Sequence, residues 1–175
     1  MTLTLLKNAQ IVDGTTPEPA DPVNIVIEDG IFKEVAAGAS VDADETLDLS
    51  GLTVMPGLID CHVHVIASTA NLGLNASLPS SLIAAKSSRL MNNMLMRGFT
   101  TVRDLGGADV GLKQAVDEGY FTAPRLVICG KALSQTGGHT DYRGPYSNRD
   151  ASWYPTQLGA MGRICDGIPE VQRAA

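Results

Sequence analysis

No stretch of this sequence approaches the ~18 consecutive apolar residues that a membrane-spanning helix needs. The first residues, Met1-Thr2-Leu3-Thr4-Leu5-Leu6-Lys7, lack the basic segment and sustained apolar run of a secretory signal. Cysteine is scarce and odd in number. Cys61, Cys129 and Cys165 form no framework, which fits a reducing cytosol and predicts a cytoplasmic protein. Basic charge is in deficit, with 13 Lys and Arg against 19 Asp and Glu, a net charge of −6. Without a basic patch to displace counterions, a nucleic-acid partner is excluded, and nothing points to a membrane. Internal repeats and low-complexity tracts are lacking too. What remains is 175 residues, 44% hydrophobic and 18% charged, the balance of a globular chain with a real core.

The first 55 residues read as short strands and turns. Leu3, Leu5 and Ile11-Val12 begin the pattern, and Thr15 to Pro22 is a Pro-rich loop. Val23–Glu28 and Ile31–Val35 flank Asp29-Gly30, the dipeptide that tolerates the positive φ of a type I′ hairpin turn. Thr46–Ser50 alternates apolar and polar residues, and Gly51–Met55 follows. This predicts a small β module over 1–55, part of a sandwich, of a size marginal on its own.

From residue 56 the rhythm changes. Leu58–His64 is an apolar strand. Ala67 to Pro79 is small and polar and reads as a loop. Ser80-Ser81 is a candidate helix cap, and apolar residues at Leu82, Ile83, Leu90, Met91, Met94 and Leu95 follow at helical spacing. The methionines, Met96 included, are expected to pack. Phe99–Asp104 is a second strand, Val110–Gly119 a second helix and Arg125–Gly130 a third strand, with Cys129 a small core residue. Leu133 to Cys165 has no clear period, and Ile168-Pro169 opens a third helix. Strands alternating with helices predict an α/β fold with parallel strands and right-handed crossovers.

Chemistry concentrates in Pro56-Gly57-Leu58-Ile59-Asp60-Cys61-His62-Val63-His64. Strict alternation puts Asp60, His62 and His64 on one face, with Cys61 and Val63 on the other. Two neutral imidazoles on one face converge on a cation, and imidazole suits zinc, nickel, iron or copper more than magnesium or calcium. The competing reading makes them ordinary hydrogen-bonded strand residues. Asp60 either orients a ligating histidine or caps a strand end.

The run Pro56-Gly57-Leu58-Ile59-Asp60-x-His62-x-His64 resembles the signature of the amidohydrolase superfamily, metal-dependent hydrolases built on a TIM barrel with an accessory β domain. The resemblance covers the chain but matches only the front of such an enzyme. It implies an α/β fold made of an incomplete TIM barrel, its first three β/α units over 56–175, preceded by the β module. It implies His62 and His64 as metal ligands and a divalent metal, zinc first, as one or two ions in the complete enzyme. A carboxylated lysine, two further histidines and an aspartate acting as general base complete the centre in the resembling enzymes. None of them has a position in these residues. Three β/α units do not close a barrel, which needs eight and typically ~250 residues. The chain is therefore expected to be a truncated version, or one completed by a complementing chain or homo-oligomer, inactive alone and holding metal weakly.

After the third strand comes Ser134-Gln135-Thr136-Gly137-Gly138-His139-Thr140-Asp141. It is similar to the branch that includes Xaa-Pro dipeptidases and imidazolonepropionase-like proteins, which implies that His139 contacts substrate rather than metal. The alternative is a histidine on a solvated turn. Arg103 with Asp104 reads as an ion pair bracing the second strand. Tyr142, Arg143, Tyr146 and Arg149 read either as carboxylate-binding groups or as exposed loop. The expected activity is metal-assisted hydrolysis of a small amide substrate, an Xaa-Pro dipeptide or N-acyl amino acid. A cyclic-amide hydrolase of the imidazolone type and a non-catalytic fragment are the alternatives.

Overall fold

The computed structural model describes residues 1–15 and 21–175, so the middle of the Pro-rich loop expected over 15–22 lies outside the described residues. The chain divides into two compact units, Met1–Pro56 and Gly57–Ala175.

In the first unit, strand β1 (Leu3–Ile11) is central. It pairs antiparallel with β2 (Val23–Glu28), which pairs antiparallel with β3 (Ile31–Ala36). Two short strands, β4 (Glu45–Asp48) and β5 (Thr53–Val54), run parallel to β1. Asp29 at φ 49° and Gly30 at φ 79° make the turn between β2 and β3, the paired positive φ angles of type I′. Leu5, Val26 and Ala39 form a small core on one side of the sheet. Ile31, Phe32 and Val35 of β3 remain exposed. Where the sequence predicts part of a sandwich, the described residues of this unit form a single mixed sheet.

The second unit holds a three-stranded parallel sheet in the order β6 (Leu58–Val63), β7 (Phe99–Asp104), β8 (Arg125–Ile128). Helix α1 (Leu72–Ser77) and helix α2 (Ser80–Met96) connect β6 to β7, and α3 (Val110–Asp117) connects β7 to β8. One face of the sheet packs on these helices through Val63, Val102 and Leu126 against Ile83, Met91 and Leu112. The opposite face is open: Ile59 is 66% exposed and Val127 45%.

Several sequence expectations change here. The loop expected over 67–79 contains α1, because Asn71 accepts a hydrogen bond from the Leu74 N–H and caps its first turn. Ser80 lies inside α2 rather than capping it. Pro79 is the N-cap residue, and the Ser80 hydroxyl accepts from the Leu158 N–H. Met91 is buried and Met94 packs on the core, but Met96 is exposed at the helix end. Cys129 is exposed rather than in the core, because alternation past the buried Leu126 turns it to the open face.

The segment 133–165 has more order than its sequence shows. Strand β9 (Ala132–Ser134) pairs in parallel with β10 (Gly162–Ile164), and a 3-10 helix spans Ala151–Thr156 between them. Helix α4 (Ile168–Ala174) follows, with Pro169 in its first turn as expected.

Candidate metal centre

Strand β6 does not alternate strictly towards its end. Asp60 pairs with Val102 and Val63 with Asp104, three steps on β6 against two on β7. The extra residue is a bulge. The register therefore puts Asp60 in the row of Val63, opposite the expected partition, and leaves Cys61 and His62 both exposed. The two histidines nevertheless come together. The His62 and His64 ring centroids lie 5.4 Å apart, edge to face at 85°.

His64 is half-buried, and its Nδ1 sits 3.1 Å from the Gly106 carbonyl oxygen. A carbonyl only accepts, so Nδ1 carries the proton and Nε2 is left with its lone pair. That is the arrangement by which a backbone carbonyl fixes the tautomer of a metal-binding histidine. The Asp60 carboxylate accepts from the His62 N–H at 3.0 Å, a contact that caps the strand end. The donor set fits a metal of the zinc type as far as it goes, with two imidazoles side by side and one tautomer set. Among the described residues no group of three or more His, Cys, Asp or Glu side chains is placed to hold an ion.

The expected Arg103–Asp104 ion pair is absent, because adjacent strand residues face opposite ways. Arg103 is on the open face, its Nε donating to the Cys61 carbonyl at 2.9 Å. Asp104 is fully buried. Its carboxylate accepts from the Val65 N–H at 2.7 Å, the Gly106 N–H at 2.9 Å and the Ala108 N–H at 3.3 Å. Burial pushes its pKa above the usual carboxylate value, opposed by these three N–H donors.

Two further polar groups shape the loops around β6 and β7, and neither is signalled by the sequence. Asn75, fully buried on α1, donates to the Ile66 and Gly159 carbonyls and accepts from Ser68. Lys131 donates to the carbonyls of Gly107, Gln157 and Ala160. Burial draws its pKa below the ordinary lysine value, opposed by Asp109 and Asp104.

His139 is exposed on the loop after β9. Among the described residues no hydrogen bond or ring contact joins it to His62 or His64. Asp141 holds that loop. It accepts from the Gly137 N–H at 2.9 Å and from Arg143 Nε and Nη2, both at 2.8 Å. The Arg143 guanidinium drives the Asp141 pKa far below the usual carboxylate range, with burial opposing and the Gly137 and Arg143 N–H groups assisting. Arg143 is thereby committed within the loop. Arg149 lies 4.3 Å over the Trp153 ring, Tyr142 stacks edge-on against Tyr154, and Tyr146 is free in solvent.

Solved structures share this fold. A crystal structure of a prolidase complexed with N-methylphosphonate-L-proline superposes with a TM-score of 0.91 at 42% identity, over 99% of this chain and 43% of that one. A structure of a Xaa-Pro dipeptidase with bound methionine in the active site superposes at 0.76 with 25% identity, again over 99% and 43%. The ochratoxinase of Aspergillus niger is 30% identical over 172 residues, 90% of this chain and 36% of that protein. The chain thus spans less than half the length of these relatives. The family model described as the amidohydrolase family matches residues 53–167, which contain the histidine pair and the loop of His139. The chain belongs to the amidohydrolase family.

Proposed function

We propose that Gly57–Ala175 makes up the first three β/α units of a TIM barrel, that Met1–Pro56 is its accessory β module, and that the complete protein is a metal-dependent amide hydrolase. The observation that carries the reading is the His62–His64 pair at the carboxyl end of a parallel strand, with Nδ1 of His64 already engaged. Carboxyl ends of strands are where barrel enzymes place their chemistry.

His62 and His64 would hold the cation. Zinc is the first candidate among the metals that imidazole suits, which include nickel, iron and copper. When bound, a divalent ion lowers the pKa of water towards ~7 and polarises a carbonyl. The chain's own residues do the rest. The Gly106 carbonyl keeps His64 in the ligating tautomer. The Asp141–Arg143 pair holds the loop from which His139 contacts the substrate. A catalytic zinc site uses three protein ligands, so two histidines alone bind weakly, and the general base and remaining ligands come from outside these residues. The similarity to a prolidase and a Xaa-Pro dipeptidase favours Xaa-Pro dipeptides, with N-acyl amino acids as the wider class. Two exposed free thiols, Cys61 and Cys129, suit the reducing cytoplasm.

The test is turnover of a dipeptide panel by the protein at its relatives' length, loaded with zinc. Xaa-Pro substrates should be cleaved. His62→Ala and His64→Ala should each lower kcat/KM by about 10³-fold or more with loss of metal. His139→Asn should lower kcat/KM about 10²-fold with metal content intact. The 175-residue chain alone should bind zinc weakly in a calorimetric titration and show no turnover. Full activity in the His64→Ala protein would sink the reading.

A further inference from the structure

The geometry points to Asp104 as a positioning residue for His64, acting through the peptide between Gly106 and Gly107. The inference rests on His64 being a metal ligand, but its first readout needs no metal.

Asp104 sits in a row that otherwise reads Val102 on its own strand and Leu126 on the next, and it is as inaccessible as they are. A buried carboxylate is costly unless its lone pairs are engaged. An apolar side chain would suit packing better, so the acid must do something a hydrocarbon cannot. Its partners show what that is. One oxygen accepts from Gly106 N–H and Ala108 N–H, on either side of the Gly106–Gly107 peptide. The carbonyl of that peptide receives His64 Nδ1–H, and its N–H donates to the Gly130 carbonyl at 2.8 Å. The other oxygen of Asp104 accepts from the N–H of Val65, the residue after His64.

One carboxylate therefore grips the backbone behind the histidine and brackets the peptide in front of its ring. Two successive glycines have the widest backbone freedom of any pair. Without Asp104, only the Gly107 N–H bond to the Gly130 carbonyl opposes a rotation that would turn an N–H instead of a carbonyl towards the imidazole. With the carbonyl held inward, only the Nδ1–H tautomer is accommodated, and Nε2 is presented as donor to a metal.

The test begins with nitrogen NMR of the histidine-labelled, metal-free intact protein at about pH 8.5, well above the ordinary imidazole pKa of about 6.5. Wild-type His64 should carry its proton on Nδ1. Asp104→Asn keeps the shape but offers one acceptor oxygen in place of two. Asp104→Glu keeps the charge and moves both oxygens by one methylene. Each should shift His64 towards a mixture of tautomers and weaken zinc binding by about 10–100-fold, the usual effect of losing an outer-shell partner. Met91→Ala opens the same core from α2 without touching this peptide, and should leave the His64 signals in place. A wild-type His64 protonated on Nε2 would overturn the inference, and so would a folded Asp104 variant with unchanged His64 nitrogens and zinc affinity. If His64→Ala binds zinc as well as wild type while the tautomer still follows Asp104, the metal reading fails and the positioning contact stands.

Discussion

Asp104 and the Gly106-Gly107 pair lie beside His64, tied to it through backbone N–H groups and a carbonyl. Gly107 adopts φ +116°, a conformation that side chains rarely take, and a Cβ there would lie 2.4 Å from Cγ1 of the fully buried Ile66. Backbone strain and overpacking add, so Gly107→Ala should cost roughly 2–4 kcal/mol in denaturant unfolding. An unchanged unfolding midpoint would show that this loop gives way easily. Asn75→Ala removes a fully buried amide that both donates and accepts, and should cost about 2–3 kcal/mol by the same measurement. The sequence places Asp104 beside Arg103 and invites an ion pair. Strand alternation separates them, and the acid's real partners are backbone N–H groups, which no residue type announces.

Elements differ in how far their residues specify them. Helix α2 is legible because its apolar spacing is regular and Gly98, at φ 92°, stops it. Helix α3 is legible for the same reason, with Asp109 capping it at 2.8 Å. Helix α1 is too short and polar to announce itself, and its tie from Asn75 to Gly159 spans 84 residues. The loop of His139 is also held by distant chemistry, including Asp166, which accepts from the Thr136 N–H and hydroxyl. Within it, Asp141 yields a pH prediction. Its folded pKa lies below the unfolded value of about 3.8–3.9, so its stabilisation is present above that value and is lost as pH falls. Wild type should lose stability progressively below about pH 4, and Asp141→Asn should lose less over the same range. Denaturant midpoints measured from neutral to acid pH decide it, and parallel curves would count against a stapled loop.

At the scale of the molecule, the unit Gly57–Ala175 has a parallel sheet with helices packed on one face and Ile59 and Val127 exposed on the other. If that open face is the interior of a barrel, Ile59 and Val127 are buried in the protein at its relatives' length. There, Ile59→Lys should destabilise by roughly 3 kcal/mol or more, the penalty of an unpaired buried charge. In the 175-residue chain, where Ile59 is 66% exposed, the same change should stay within about 0.5 kcal/mol. Equal effects in both would contradict the barrel. Among the described residues no helix is long and apolar enough to cross a membrane.

Local rules were enough for what depends on neighbours along the chain. The Asp29-Gly30 hairpin and the strand–helix–strand rhythm follow from backbone preference and apolar period, because those act over a few residues. Three features needed tertiary structure. The bulge that places Cys61 and His62 together on the exposed face arises from register against β7. The carbonyl that His64 Nδ1 meets lies 42 residues away. The burial of Asp104 depends on three N–H groups that converge only once the loops after β6 and β7 have packed. Each is a hydrogen-bond or register relation between distant segments, and such relations leave no periodic trace in residue order.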